Sequence, residues 1–259
     1  KCKTYGGSIA RNGDANTWTQ VMQTSIEDGQ LLLAEPNFDL DETTIEIPEN
    51  KNIILRDVNS KMLARDITLK DGVKYAFPYE VETNSISYTR SFSATQAGKW
   101  QALYIPFGFN VEEYADDFDV AEIFTICPTK DTNGDGTVDA ADEKKMILAY
   151  VKSGKIYPNT PYMIRPKKAA TVSIQEESTT LHKADINSVS FSTSRSDYSI
   201  TGLYSPFTAT PGDHNYYMGG GKVSWATTAN ISVSPNRWYM HEDFKNYSNY
   251  ENGEDALCK

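Results

Sequence analysis

From Leu31 onward the hydrophobic positions come in short apolar or alternating runs: Leu31-Leu32-Leu33, Thr44 to Ile47, Ile53-Ile54-Leu55 and Ile67 to Leu69. Turn formers interrupt them at Pro36, Pro48-Glu49-Asn50, Asp57 to Asn59 and Asp71-Gly72. From Ile86 the runs become more aromatic: Ile86 to Phe92, Trp100 to Phe107, Val120 to Cys127, Tyr162 to Arg165, Thr171 to Ile174 and Ser188 to Phe191. Tyr198 to Leu203, Tyr216 to Met218, Lys222 to Trp225, Ile231 to Val233 and Trp238 to His241 continue the series. Side chains of a strand alternate between its two faces, so runs of this length with turns about every ten residues predict an all-β fold. The expectation is an antiparallel β-sandwich, as one domain or as two β domains divided softly near residue 80 (1–80 and 81–259).

One segment repeats with period 3.6 instead. Asn16 to Glu27 places Trp18, Val21, Met22, Ser25 and Ile26 on one face and meets Asp28-Gly29 as a stop, which predicts a short N-terminal helix. A helix followed by short strands also allows a few rungs of parallel β-helix. Residues 143–151 fit a helix or a strand, and the β character of their surroundings favours the strand. Gly219-Gly220-Gly221-Lys222 reads as a hairpin turn, because Val223 stands where a phosphate loop needs Ser or Thr. Thr201 to Phe207 weakly echoes Gln101 to Phe107 through a shared Leu-Tyr-x-Pro-Phe, which suggests two facing sheets.

The sharpest chemical pattern is Asp131-Thr132-Asn133-Gly134-Asp135-Gly136-Thr137-Val138-Asp139-Ala140-Ala141-Asp142. Calcium takes about six to eight oxygens, and an EF-hand loop presents them from positions 1, 3, 5, 7, 9 and 12 around a Gly at 6. Counted from Asp131, the candidate ligands are Asp131, Asn133, Asp135, the Thr137 carbonyl, Asp139 and Asp142, with Gly136 at the turn. Four carboxylates in this stretch repel one another unless a cation sits among them. An Asp/Asn/Gly-rich surface turn needs no metal, and is the plain alternative. Asp142 replaces the EF-hand Glu, as in dockerin loops, which this stretch resembles, although no second copy follows. A saturated oxygen shell would make the expected calcium structural.

Composition narrows the classes. A net charge of -10 and a sequence pI near 4.8 lack the basic footprint of nucleic-acid binding. No stretch approaches the roughly 20 apolar residues of a membrane span. Abundant Tyr, Ser, Thr and Asn with a calcium-type loop fit an exported protein whose leader is absent from this sequence. Of the three cysteines, Cys2 and Cys258 lie near opposite ends and are candidates for a bridge. Cys127, in an apolar run, reads as a buried free thiol.

The runs Ile86-Ser87-Tyr88-Thr89-Arg90-Ser91-Phe92, Gly98 to Phe107 and Pro158-Asn159-Thr160-Pro161-Tyr162-Met163-Ile164-Arg165-Pro166 resemble exported surface proteins of Bacteroidetes over about residues 50–245. Those are β-rich modules, mostly of unassigned function. The resemblance implies location and fold, and adhesion or ligand binding more loosely. It carries over no functional residue.

No catalytic frame is present. His182, His214 and His241 are far apart, His241-Glu242 lacks the rest of a zincin motif, and Ser205 with Asp213-His214 is a trio any chain this long offers. With 35 acidic residues, carboxylate pairs for glycoside hydrolysis depend on the fold. Tyr216, Tyr217, Trp225, Trp238 and Tyr239 are candidates to bind a glycan or peptide, with core packing as the alternative. The expected function is an exported, cell-surface, noncatalytic module that adheres to a glycan or to a host or matrix protein. A secreted carbohydrate-active enzyme and a structural spacer are the competing readings.

Overall fold

The computed structural model describes residues 2–5, 31–34, 52–56, 59–127, 134, 145–193, 196–226 and 228–245. Among them the chain is all-β, with one 3-10 turn at Val111–Tyr114 and no α-helix. The helix expected over 16–27 and the strand expected over 44–47 lie outside the described residues.

The first sheet contains β1 (Cys2–Tyr5), β2 (Leu31–Ala34), β3 (Ile53–Arg56), β4 (Met62–Lys70), β5 (Val81–Phe92) and β10 (Ala170–Leu181), in the order β1-β2-β3-β4-β5-β10. It corrects the antiparallel expectation, since β2 with β3 and β4 with β5 pair in parallel. The connection from β4 to β5 must cross over to re-enter in parallel, and it drives Tyr75 and Phe77 into the core on the way. The soft boundary near residue 80 falls between these two hydrogen-bonded strands.

The second sheet has β6 (Gln101–Leu103), β7 (Phe118–Ile126), β8 (Met146–Val151) and β9 (Tyr162–Pro166), ordered β6-β9-β7-β8. Residues 146–151 are thus a strand, as their surroundings suggested. The third sheet has β11 (Ser188–Ser192), β12 (Ser196–Leu203), β14 (Asn215–Gly219), β15 (Lys222–Trp225) and β17 (Arg237–Phe244), ordered β11-β12-β17-β14-β15. β13 (Phe207–Ala209) and β16 (Ile231–Val233) form a separate ribbon.

Alternation makes the second sheet the middle layer. Leu103, Phe118, Val120, Tyr162 and Ile164 join the core shared with the first sheet. Their neighbours Ala102, Ala121 and Met163 join the core shared with Tyr198, Ile200, Tyr216, Trp238 and Met240 of the third. A β-bulge between Ile123 and Thr125 shifts the register, turns Phe124 outward and puts Ile126 back into that second core.

Sheets two and three share one topology. β6-β9-β7-β8 and β12-β17-β14-β15 have the same strand order, and every pair is antiparallel. The β13–β16 ribbon has a counterpart in the Asn110–Lys155 bridge between the equivalent connections. The faint Leu-Tyr-x-Pro-Phe echo falls at equivalent places in the two sheets, beginning at the last residue of β6 and of β12. The copies differ most at one hairpin. β14 and β15 turn through Gly220 and Gly221, at φ 61° and 85°, whereas residues 127–145 separate β7 from β8.

Candidate functional site

The third sheet sorts the five aromatic candidates by strand parity. Trp238 and Tyr216 are 0% and 1% exposed and belong to the core, with the Trp238 indole N–H donating to the Tyr162 carbonyl at 2.9 Å. Trp225, opposite Tyr216, packs against the same core. For these three the packing alternative describes the environment. Tyr217 and Tyr239 point the other way, face each other across β14 and β17, and are half-buried.

They lie on a face of registered rows. Ser188, Thr201, Tyr239, Tyr217 and Ser224 make one row, and Ser190, Ser199, His241 and Asn215 the next. Phe207 stacks on Tyr239 with ring centroids 3.9 Å apart. Hydroxyls of Ser188 and Thr201 meet at 2.7 Å, and the His241 ring nitrogens lie 2.9 Å from Asn215 Oδ1 and 3.2 Å from Asp243 Oδ1. Such a face offers shallow aromatic area beside hydroxyl and amide groups.

A second surface was missed in the sequence because it lies in connections. The segments around Tyr79, Tyr157 and Ile186 expose these side chains by 44%, 71% and 54%. They are bound together at their bases. Ala184 N–H donates to Phe77 O at 2.8 Å, and His182 Nδ1 lies 2.9 Å from Glu80 Oε2. Buried Asn159 is the hub. Its backbone N–H donates to Ile105 O at 2.9 Å, its amide donates to Lys183 O at 3.1 Å, and its carbonyl accepts from the Asn187 amide at 3.0 Å. Its side-chain oxygen accepts the Tyr204 hydroxyl. The Tyr104 hydroxyl donates to Asp185 O at 2.7 Å and accepts the Asn187 N–H at 2.9 Å. Burial pushes the Tyr104 phenol up to about 12, so it keeps the proton this donation needs. This end of the molecule thus combines exposed apolar side chains with firmly bonded connections.

The three histidines stay apart: His182 pairs with Glu80, His241 sits on the outer face, and the His214 ring packs edge-on against Trp225 and Phe244. Among the described residues no group of three or more His, Cys, Asp or Glu could hold a metal ion. Asp131, Asn133, Asp135, Thr137, Asp139 and Asp142 lie outside the described residues, which include only Gly134 of that loop. The ends of its connection are described: Cys127 N–H donates to Lys145 O at 2.9 Å. Cys127 is disulfide-bonded, which overturns the free-thiol reading. The bridge expected between Cys2 and Cys258 concerns side chains outside the described residues. No helix among the described residues is long and apolar enough to cross a membrane.

No family model, curated protein or solved structure matches this chain. The class defined by the fold is an all-β protein of several packed sheets.

Proposed function

We propose that the protein is an exported, noncatalytic binding or adhesion module that meets a glycan or a host or matrix protein through the loop end carrying Tyr79, Tyr157 and Ile186. The observation that carries this reading is the pairing of strong apolar exposure with connections tied down at Asn159. A disulfide at Cys127 supports an oxidising, extracellular setting. Calcium at Asp131, Asn133, Asp135, Thr137, Asp139 and Asp142 would be structural, shortening the free part of a long connection that its equivalent hairpin lacks.

The outer face with Tyr217 and Tyr239 is a second reading, favoured by their direct registration across two strands. A glycan and matrix-protein array tests both. Binding by the wild type that is lost in Tyr79→Ala/Tyr157→Ala and kept in Tyr217→Ala/Tyr239→Ala supports the loop end, and the reverse supports the sheet. A folded wild type that binds nothing, or that releases sugar from glycans, rejects the module reading.

A further inference from the structure

We propose that a small monovalent anion of the chloride class binds between the first and second sheets, held by Arg90 and Gln101. The proposal is independent of what the protein adheres to.

Arg90 projects from β5 into the space between these sheets, with 2% of its side chain exposed. Its Nη1 donates to Ala102 O at 2.8 Å, its Nε lies 3.7 Å from Asp71 Oδ2, and its guanidinium covers the Phe92 ring at 4.8 Å. Its Nη2 is buried and has no hydrogen-bond partner. Asp71 does not supply one, because its carboxylate is engaged elsewhere. Arg237 holds both oxygens, Nη1 to Oδ1 at 2.5 Å and Nη2 to Oδ2 at 2.6 Å, and Tyr88 donates its hydroxyl to Oδ1. Two guanidinium groups share one carboxylate, so this cluster carries one uncompensated positive charge.

Gln101 supplies the second orphan. Its Nε2 is also buried without a partner. Gln101 alternates with Ala102 on β6 and so faces the same layer as Leu103, opposite the core residues of the first sheet. Arg90 is already bonded to the carbonyl of the very next residue, so both unpaired donors belong to the layer between the first and second sheets. Buried donors and buried charge are costly when left alone. A water molecule would satisfy hydrogen bonds but not the charge, whereas one small anion satisfies both. Arg90 keeps its charge at neutral pH, although burial, and then the nearby Arg237 charge, lower its pKa to about 10.

The direct test is a crystal of the protein grown in bromide, read by anomalous scattering. A bromide peak within hydrogen-bond reach of Arg90 Nη2 and the Gln101 amide is expected. A water there, or the Gln101 carboxamide bonded straight to Arg90 with no ion, overturns the proposal. In solution, chloride should raise the melting temperature at constant ionic strength set with gluconate, by about 3 to 6 °C per tenfold increase above its dissociation constant. Arg90→Met should abolish that dependence. Gln101→Leu, which keeps the salt bridges and is the safer variant for folding, should weaken anion affinity about tenfold or more. A folded Gln101→Leu protein with unchanged chloride dependence rejects the site.

Discussion

The rings of Tyr104 and Tyr204 lie 4.8 Å apart, tilted by 50°, and they occupy the same place in the two copies of Leu-Tyr-x-Pro-Phe. Each tyrosine is tied to the asparagine that precedes the last strand of the opposite sheet. Tyr104 N–H donates to Asn236 O at 3.2 Å, and the Tyr204 hydroxyl donates to the Asn159 side chain. Both asparagines have positive φ, 52° at Asn159 and 63° at Asn236, a conformation in which Asn is favoured among non-glycine residues. The two sheets of like topology are therefore joined by a reciprocal exchange.

Asn159→Ala should cost about 3 kcal/mol, since it strands the Tyr204 hydroxyl and the Lys183 carbonyl and puts alanine at positive φ. Denaturant unfolding measures this, and a loss below about 0.5 kcal/mol would remove Asn159 as the hub.

Gly202 packs so closely that an added Cβ would run into the Tyr104 ring. Gly202→Ala should destabilise by about 1 to 3 kcal/mol. In Tyr104→Leu the same change should cost clearly less, and a double-mutant cycle that shows simple additivity would deny the contact.

Stability should carry an acid limb from Asp71. Burial pushes its carboxyl up, but the Arg237 hydrogen bonds and charge, the Arg90 charge and the Tyr88 hydroxyl together hold it below the ordinary carboxylate range. The unfolded chain thus takes up this proton first as pH falls. The contribution is complete above about pH 4 to 5 and is lost as pH drops through the folded value. Asp71→Asn should flatten this limb and cost about 3 kcal/mol near neutrality by leaving two buried guanidinium groups. Unfolding curves from pH 2 to 7 check both.

Thiol titration of the oxidised, denatured monomer should find one free cysteine among Cys2, Cys127 and Cys258. Cys127→Ala should lower stability by about 2 to 5 kcal/mol and free a second thiol. Three free thiols in the oxidised wild type would contradict the bridge.

If Asp131 to Asp142 hold calcium, adding it to about ten times its dissociation constant should raise the melting temperature by roughly 3 to 6 °C. Asp131→Ala should remove the gain. Calorimetry that registers no heat with wild-type protein would end the calcium reading.

Much of the fold was legible because it depends on local alternation. Tyr198 to Leu203 and the Gly219 to Lys222 turn needed only a period of two and a glycine pair, whereas in Val120 to Cys127 the bulge between Ile123 and Thr125 breaks the alternation. The parallel entry of β5 was not legible, since it depends on where the connection carrying Tyr75 and Phe77 is buried. The strand form of 146–151 was settled by neighbours more than by its own ambiguous apolar run. Parity could have divided Tyr216 from Tyr217 and Trp238 from Tyr239 in advance, but not told which face was covered. Asp71, Arg90 and Arg237 could not be associated from sequence, because only the stacking of sheets brings such distant positions together. Tyr157 was hidden for a simpler reason: an aromatic residue in a connection has no periodic signal.

Because the middle sheet is apolar on both sides, neither outer layer is dispensable. Peeling away the C-terminal strands would uncover Ala102, Ala121 and Met163, and peeling away the N-terminal ones would uncover Leu103, Val120 and Ile164. The described strands should accordingly melt in a single cooperative step, and a shortened chain lacking either flank would surrender solubility along with shape.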